Sequence, residues 1–508
     1  MRPTTVTGSG SSTRHWVGTW TSVQDTAKVQ LSSGSPATVN GQTLRIPAHV
    51  SIGTDDSNGV RIHLSNAMGA TPVTFDAASV AVQDPTAGGA TAAAAPTPLT
   101  FGGSASVTIP AGGDVTSDQV TLPVAQQATV LVSLQVHGSM SAMPDHAMAQ
   151  TPVWISNTAN STADAPATNY TQTTYTGLPY LSGIDVTTPA TAPTGSLVLY
   201  GDQSVNGDTA PADGQHHLND AITKALVADL NGDNSVDYGV LNAGTNSSSL
   251  SNNLLPQITN STTPTNALNP LDRNVLAQGN VRTVLISTGT ADLLNCPSTS
   301  DADTCATHVE NGLASLNSQL NSYYTDDSQI SDGQNSPLAI YFATIPPFTA
   351  AHSGTTAQEA ARKEVNDYLR NNFQGQVIDF AAAVSTDGTT VDAADLINGN
   401  PSDTYYAALA SEYLKDTAPN TVSIAPNLIV PLTTGSDTPA DDWEAATDGT
   451  DSNGDNPFTT VGSATFSSDG PGAVNAAPAQ RPSTATPDSL RATTPPSTPS
   501  TTTPSPPG

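Results

Sequence analysis

The sequence predicts two folded units of different class. An antiparallel, jelly-roll-like β-sandwich over residues 15–190 precedes an α/β domain over residues 194–432 with a parallel sheet and helices on both faces. Three observations lead there. Short apolar/polar alternations broken by Gly, Pro, Asn and Asp fill the first part, apolar runs alternate with helical stretches in the second, and a Pro/Thr/Ser tail follows. A chain of 508 residues has length for two cores plus tails.

Taken in order, residues 1–14 are Thr/Ser/Gly-rich, lack the apolar centre of a signal peptide and are expected to be disordered. Gln42 to Ile46, Val60 to Leu64, Ser106 to Ile109 and Ala128 to Leu134 alternate with period two, as half-buried strands do. Trp16 and Trp20 are open to two readings, packing in the core or ring stacking on a sugar. Pro189 to Thr194 reads as a linker. Leu197–Leu199, Tyr238–Leu241, Val281–Ile286, Leu338–Phe342 and Gln376–Phe380 then read as buried strands, with helices over His217–Asp229 and Thr356–Asn371 among the stretches between them. Residues 433–508 are first acidic and then Pro/Thr/Ser-rich, cannot bury enough apolar surface to fold, and read as a disordered stalk of the kind that carries O-glycans.

Charge narrows the partners. Lys plus Arg number 14 against 44 Asp plus Glu, for a net charge of −30, and such a surface repels nucleic acid and anionic membranes. Charged residues make up only 11% of the chain, against roughly 25% in ordinary globular proteins, which suits an extracellular or cell-surface location. There is no apolar run of membrane-spanning length. The two cysteines, Cys296 and Cys305, read as one polar loop, where a disulfide would contribute roughly 3 kcal/mol at best and would point to an oxidising compartment.

The segment Tyr200-Gly201-Asp202-Gln203-Ser204-Val205-Asn206-Gly207 resembles the GDSITDG block of the SGNH (GDSL) hydrolases. Leu241 to Leu250, Ser287 to Asp292 and Ile397 to Ala410 resemble that family's NAGIGGNRLL, GIND and DxxHPNDAGYxxxA blocks. The resemblance implies a flavodoxin-like SGNH-type sheet and, with Trp16 to Trp20 and the strands around Arg45 and Arg61, a secreted two-domain organisation of actinobacterial type. It also implies that the catalytic groups are gone. The nucleophile falls at Gln203, the oxyanion glycine at Ser247, the oxyanion asparagine at Ala291, the aspartate at Ile397 and the histidine at Asn400. A one-residue shift would make Ser204 the nucleophile instead. Losing nucleophile or base removes roughly a million-fold in a serine hydrolase, and losing both costs little more.

Other residues are candidates for chemistry. Asp202, Gln203, Ser204, Asn246 and Asn400 are expected to line a ligand crevice, with Asp202 supporting the turn. His216 and His217 follow the first block and His308 and His352 read as loop residues, each solvated or, in the rival reading, serving as base to Ser204. Asp229, Asn231, Asp233 and Asp237 space oxygen ligands as a calcium loop does, yet Asn234 and Val240 stand where the glycine and bidentate acid belong, so a plain helix-to-strand turn is the competing reading. No other cofactor is expected. Three functions remain open: a catalytically degenerate esterase homologue binding a polysaccharide or other ester-bearing polymer, an active carbohydrate or lipid esterase using Ser204, and a non-catalytic structural protein of the cell envelope.

Overall fold

A computed structural model describes residues 14–25, 39–55, 57–140, 143–146, 149–173, 177–189, 195–210, 215–229, 238–245, 250, 271–297, 301–326 and 338–428. The first 13 residues, most of the expected linker and the tail at 433–508 lie outside these.

The first part is built on β1 (Arg14–Thr21), β2 (Thr43–His49), β3 (Gly59–Ser65), β4 (Val73–Val82), β5 (Thr129–Val136) and β6 (Leu181–Pro189). A five-stranded sheet has the order β1-β6-β3 with short Asp114–Thr116 beyond, and a seven-stranded sheet places β5 between β2 and β4. All these pairs are antiparallel. Because side chains alternate along a strand, Leu44 and Ile46 of β2, Ile62 and Leu64 of β3, Val130 and Val132 of β5 and Ile184 and Val186 of β6 meet in one apolar core.

The residues of opposite parity carry buried charge. Arg45 Nε donates to Ser133 Oγ at 2.9 Å, its two terminal nitrogens donate to the carbonyls of Ala90 and Asp164, and its guanidinium lies 4.1 Å above the Tyr170 ring. Arg61 Nε donates to Asp185 Oδ2 at 2.9 Å and its guanidinium covers the Trp16 ring, so Trp16 is engaged in packing.

The second part is a five-stranded parallel sheet of β7 (Gly195–Gly201), β8 (Tyr238–Gly244), β9 (Val281–Ser287), β10 (Ala339–Ala343) and β11 (Val377–Ile378), in the order β8-β7-β9-β10-β11. Counted along the chain this is 2-1-3-4-5, the flavodoxin-like doubly wound order. The helices are α1 (Gln203–Asn206), α2 (Leu218–Asp229), α3 (Thr290–Asn295), α4 (Ala302–Asp326), α5 (Thr356–Asn372), α6 (Phe380–Ala383) and α7 (Asp403–Leu428). Leu197 and Leu199 join the core that holds Leu218 and Ile222 of α2 and Leu409 and Tyr413 of α7. Val198 and Tyr200 join the core that holds Leu313 of α4 and Val365 of α5. Both faces of β7 are thus covered, which is why its centre, Leu197 to Leu199, is apolar without a break. No helix among the described residues is long and apolar enough to cross a membrane.

One sequence expectation is corrected. Cys305 and His308 were read as loop residues, but both lie on α4. Val309, Leu313, Leu316 and Leu320 form its buried stripe at helical spacing, and intervening Ser, Asn and Gln had masked it. Cys305 is buried in the first turn and bridges to Cys296 at the end of α3.

β1 lies against β8 and so covers the edge of the parallel sheet. Ser51 Oγ accepts from the backbone N–H of Val240 at 2.9 Å, and Ser196 Oγ donates to the carbonyl of Gly18 at 3.1 Å. The approach is close enough that a Cβ on Gly239 would overlap the Gly18 carbonyl oxygen. Gly239→Ala is therefore expected to destabilise the protein by about 1–3 kcal/mol through overpacking, read as a lowered midpoint in thermal unfolding. An unchanged midpoint would mean the two halves are not packed this way.

Candidate functional site at the carboxyl end of the parallel sheet

In the 2-1-3-4-5 order the chain reverses direction beside β7, leaving a crevice at the carboxyl ends of β7 and its neighbours. Gly201 ends β7, Asp202 caps α1, and Gly207 closes that short helix in the left-handed region at φ 73°. Asp202 is fully buried and organises the turn. Its Oδ1 accepts from the N–H of Ser204 at 2.9 Å, and its Oδ2 accepts from Gly289 at 3.0 Å and Ala291 at 3.1 Å, tying β7 to the start of α3. Burial pushes this carboxyl above its usual range, against the pull of those amides.

Gln203 occupies the first position of α1, buried, with its Oε1 lacking a hydrogen-bond partner. The Ser204 hydroxyl is engaged at the end of β9. It donates to the carbonyl of Ser287 at 3.1 Å and lies 3.0 Å from Ser287 Oγ. Ala291 has no side-chain donor, and its backbone N–H is taken by Asp202. Asn246 and Ser247 lie outside the described residues, as do Asn231, Asp233 and Asp237 of the candidate calcium loop, while Asp229 ends α2.

Ile397 and Asn400 pair as the ends of a two-residue hairpin whose turn is Asn398 at φ 53° and Gly399 at φ 80°. Asn-Gly is the sequence that tolerates two left-handed residues in succession. Ile397 is 63% exposed and orients nothing, and Asn400 Oδ1 is buried without a partner. Ser402 then caps α7, its Oγ accepting from the Tyr405 N–H.

His352 keeps the loop position expected of it, whereas His308 stands on α4, where it remains exposed. His217 is buried at the start of α2, His216 is held by Asp403 at 2.5 Å, and His308 on α4 reaches to 3.4 Å of Asp292. Asp292 accepts the Leu250 N–H on both oxygens, and burial lifts its carboxyl to about 6. His352 Nε2 lies 3.1 Å from Asp208 Oδ1, and that hydrogen bond, working against burial, raises the imidazole above its usual value. Sequence reading named His352 without its partner, since the two residues are 144 positions apart.

These pieces border an open cleft lined among others by Gln203, Ser204, Asp208, Phe348, His352 and Tyr405. Its walls offer hydroxyl, carboxamide and aromatic surfaces together with one imidazole–carboxylate pair. Among the described residues no cluster of three metal-ligating side chains occurs.

Solved structures similar to this chain include a carbohydrate acetylesterase from Sinorhizobium meliloti, at 15% identity over 44% of this chain and 99% of that one, TM-score 0.29. A family two carbohydrate esterase from Cellvibrio japonicus is 12% identical over 83% of this chain and 99% of that one, TM-score 0.29. A member of the G-D-S-L lipolytic protein family from Veillonella parvula DSM 2008 is 14% identical over 43% and 96%, TM-score 0.27. No family model matches the chain, and no curated protein matches it.

Proposed function

We propose that this chain is a secreted or cell-surface protein with a jelly-roll-like sandwich and an SGNH-type hydrolase framework, whose cleft binds a polysaccharide or other ester-bearing polymer without hydrolysing it. The observation that carries the reading is the hydrogen bonding of Ser204. A serine becomes a nucleophile when an adjacent base takes its proton, and this hydroxyl donates to a backbone carbonyl instead. At the positions that resemble the family's nucleophile and base stand two carboxamides, Gln203 and Asn400, each with a buried carbonyl oxygen that has no partner. Carboxamides accept and donate hydrogen bonds to hydroxyl-rich ligands but do not ionise. The Cys296–Cys305 disulfide supports an oxidising location.

The His352–Asp208 pair favours one second reading. A carboxylate-oriented imidazole lining the same cleft as Ser204 would become a working base if the serine rotated toward it.

Hydrolysis of p-nitrophenyl acetate and labelling by a fluorophosphonate probe separate the two. Non-hydrolytic binding predicts no turnover beyond that of Ser204→Ala, no labelling, and retention on insoluble xylan, cellulose or peptidoglycan. Turnover abolished by both Ser204→Ala and His352→Ala would overturn it and establish an ester hydrolase.

A further inference from the structure

Two segments that border the cleft are joined by an ion pair. His352 belongs to residues 344–355, which run from the end of β10 to the cap of α5, and Asp208 lies in the turn after α1. Both line the cleft, with His352 Nε2 3.1 Å from Asp208 Oδ1. We infer, taking this cleft as the binding site proposed above, that the pair is a proton-operated strap. With the imidazole protonated it draws the two segments together and holds the cleft in its ligand-binding shape; with the imidazole neutral it slackens and binding weakens.

One end of the strap is fixed and the other is not. Asp208 follows Gly207, the left-handed end of α1, and its backbone carbonyl accepts from Gln150 Nε2 of the antiparallel half. On the other side Pro346 and Pro347 are buried, but Ala350, Ala351, Ser353, Gly354 and Thr355 are exposed. The Ala350 N–H donates to the Gly399 carbonyl at 3.1 Å, and His352 is the one ionisable side chain between Ile345 and Thr355. A surface segment with so few anchors opens at low free-energy cost, so the strength of the His352 bond bears directly on its position. The imidazole is 27% exposed, and protons reach it from solvent.

The surrounding charges give the direction of the response. The hydrogen bond to Asp208 and the negative potential of Asp208 and Asp202 outweigh burial and raise the imidazole above its usual value. From α7, Tyr405 and Tyr406 line the cleft with phenols that burial lifts above their usual range, so both stay neutral. The hairpin at residues 396–401 has no titratable side chain, and no lysine or arginine lines the cleft. Because the folded value is raised, the pair is fully charged below the ordinary imidazole value near 6.5 and loses its charge as pH rises through the folded value. A charge-assisted hydrogen bond is roughly twice as strong as a neutral one, so the strap tightens on acidification. By linkage, a bound ligand must in turn raise the pH at which His352 titrates.

Binding of the full chain to insoluble acetylated xylan at about pH 5.5 and about pH 8.5 tests the strap. The parent is expected to bind about fivefold more tightly at the lower pH. His352→Gln, which can still hydrogen-bond to Asp208 but cannot take up a proton, is expected to lose that difference. Equal binding of the parent at both pH values, or the same ratio in His352→Gln, would overturn the strap. Amide exchange tests it without any ligand. Corrected for the intrinsic rate, the Ala350 and His352 N–H groups, which donate to the Gly399 and Thr349 carbonyls, are expected to be several-fold better protected at the lower pH in the parent but not in His352→Gln. Failure to bind the xylan at either pH counts against the binding reading of the cleft and leaves the strap to stand or fall on exchange; equal protection in the parent at both pH values overturns it whatever the cleft binds.

Discussion

Replacing Asp185 with alanine is expected to destabilise the protein by about 3–5 kcal/mol, the range for removing one partner of a buried ion pair. The carboxylate sits between a guanidinium and an imidazole. Arg61 Nε donates to Asp185 Oδ2 at 2.9 Å and His63 Nε2 lies 2.8 Å from the same oxygen, with the Arg61 and Asp185 side chains 3% and 4% exposed. Burial alone would push this carboxyl upward, but His63 and Arg61 outweigh it and hold it well below the usual carboxylate range. Because the folded value is depressed, the contribution is complete above the ordinary carboxylate value near 4. It is lost only as the pH falls toward the folded value, in strongly acidic solution. Asp185→Ala would strip the Arg61 guanidinium of that carboxylate inside the sandwich. Chemical denaturation at pH 7 measures the loss. The double variant Arg61→Leu/Asp185→Leu should be less damaged than Asp185→Ala, because no buried charge remains. A single-variant loss under about 1 kcal/mol, the worth of an exposed pair, would show that the site is solvated.

The second large effect runs in the opposite direction on the pH axis. Asp145 is fully buried, neither carboxylate oxygen has a hydrogen-bond partner, and burial, reinforced by Asp25, raises its carboxyl to about 9. The unfolded chain releases this proton near pH 4 while the folded protein keeps it. Stability attributable to Asp145 is therefore full below about pH 4, falls by up to about 1.4 kcal/mol per pH unit as pH rises, and levels off above about 9. Asp145→Asn is isosteric and cannot ionise. It is expected to be more stable than the parent at pH 8, equal or slightly weaker at pH 4, and to lack this part of the pH slope. Parallel slopes for the two proteins across pH 5–8 would show that the carboxylate is hydrated after all.

What could be read from the chain and what could not follow the range of the forces involved. The Gly-Asp turn after β7 is a local device, acting on backbone groups within a few residues, and it was visible as a motif. The apolar runs of β7, β9 and β10 were equally visible, because a strand covered on both faces has no polar positions to disguise it. Helix α4 was missed although its buried stripe is regular, since the residues between Val309, Leu313, Leu316 and Leu320 have loop-like composition. There the tertiary core overrides weak local propensity.

The site divides in the same way. That Gln203, Ala291 and Asn400 can themselves be neither nucleophile nor base was legible, because residue identity alone says that a carboxamide or a methyl group does not ionise. The bond of Ser204 to Ser287 and the pairing of His352 with Asp208 were not. Hydrogen bonds and ion pairs act over a few ångströms between segments that the chain separates by more than a hundred residues in some cases, so only the packing of sheets and helices brings such partners together. Composition and periodicity settled which segments must be buried; the directions of individual hydroxyls, imidazoles and carboxylates, and with them the chemistry open to the cleft, emerged only once those segments had packed.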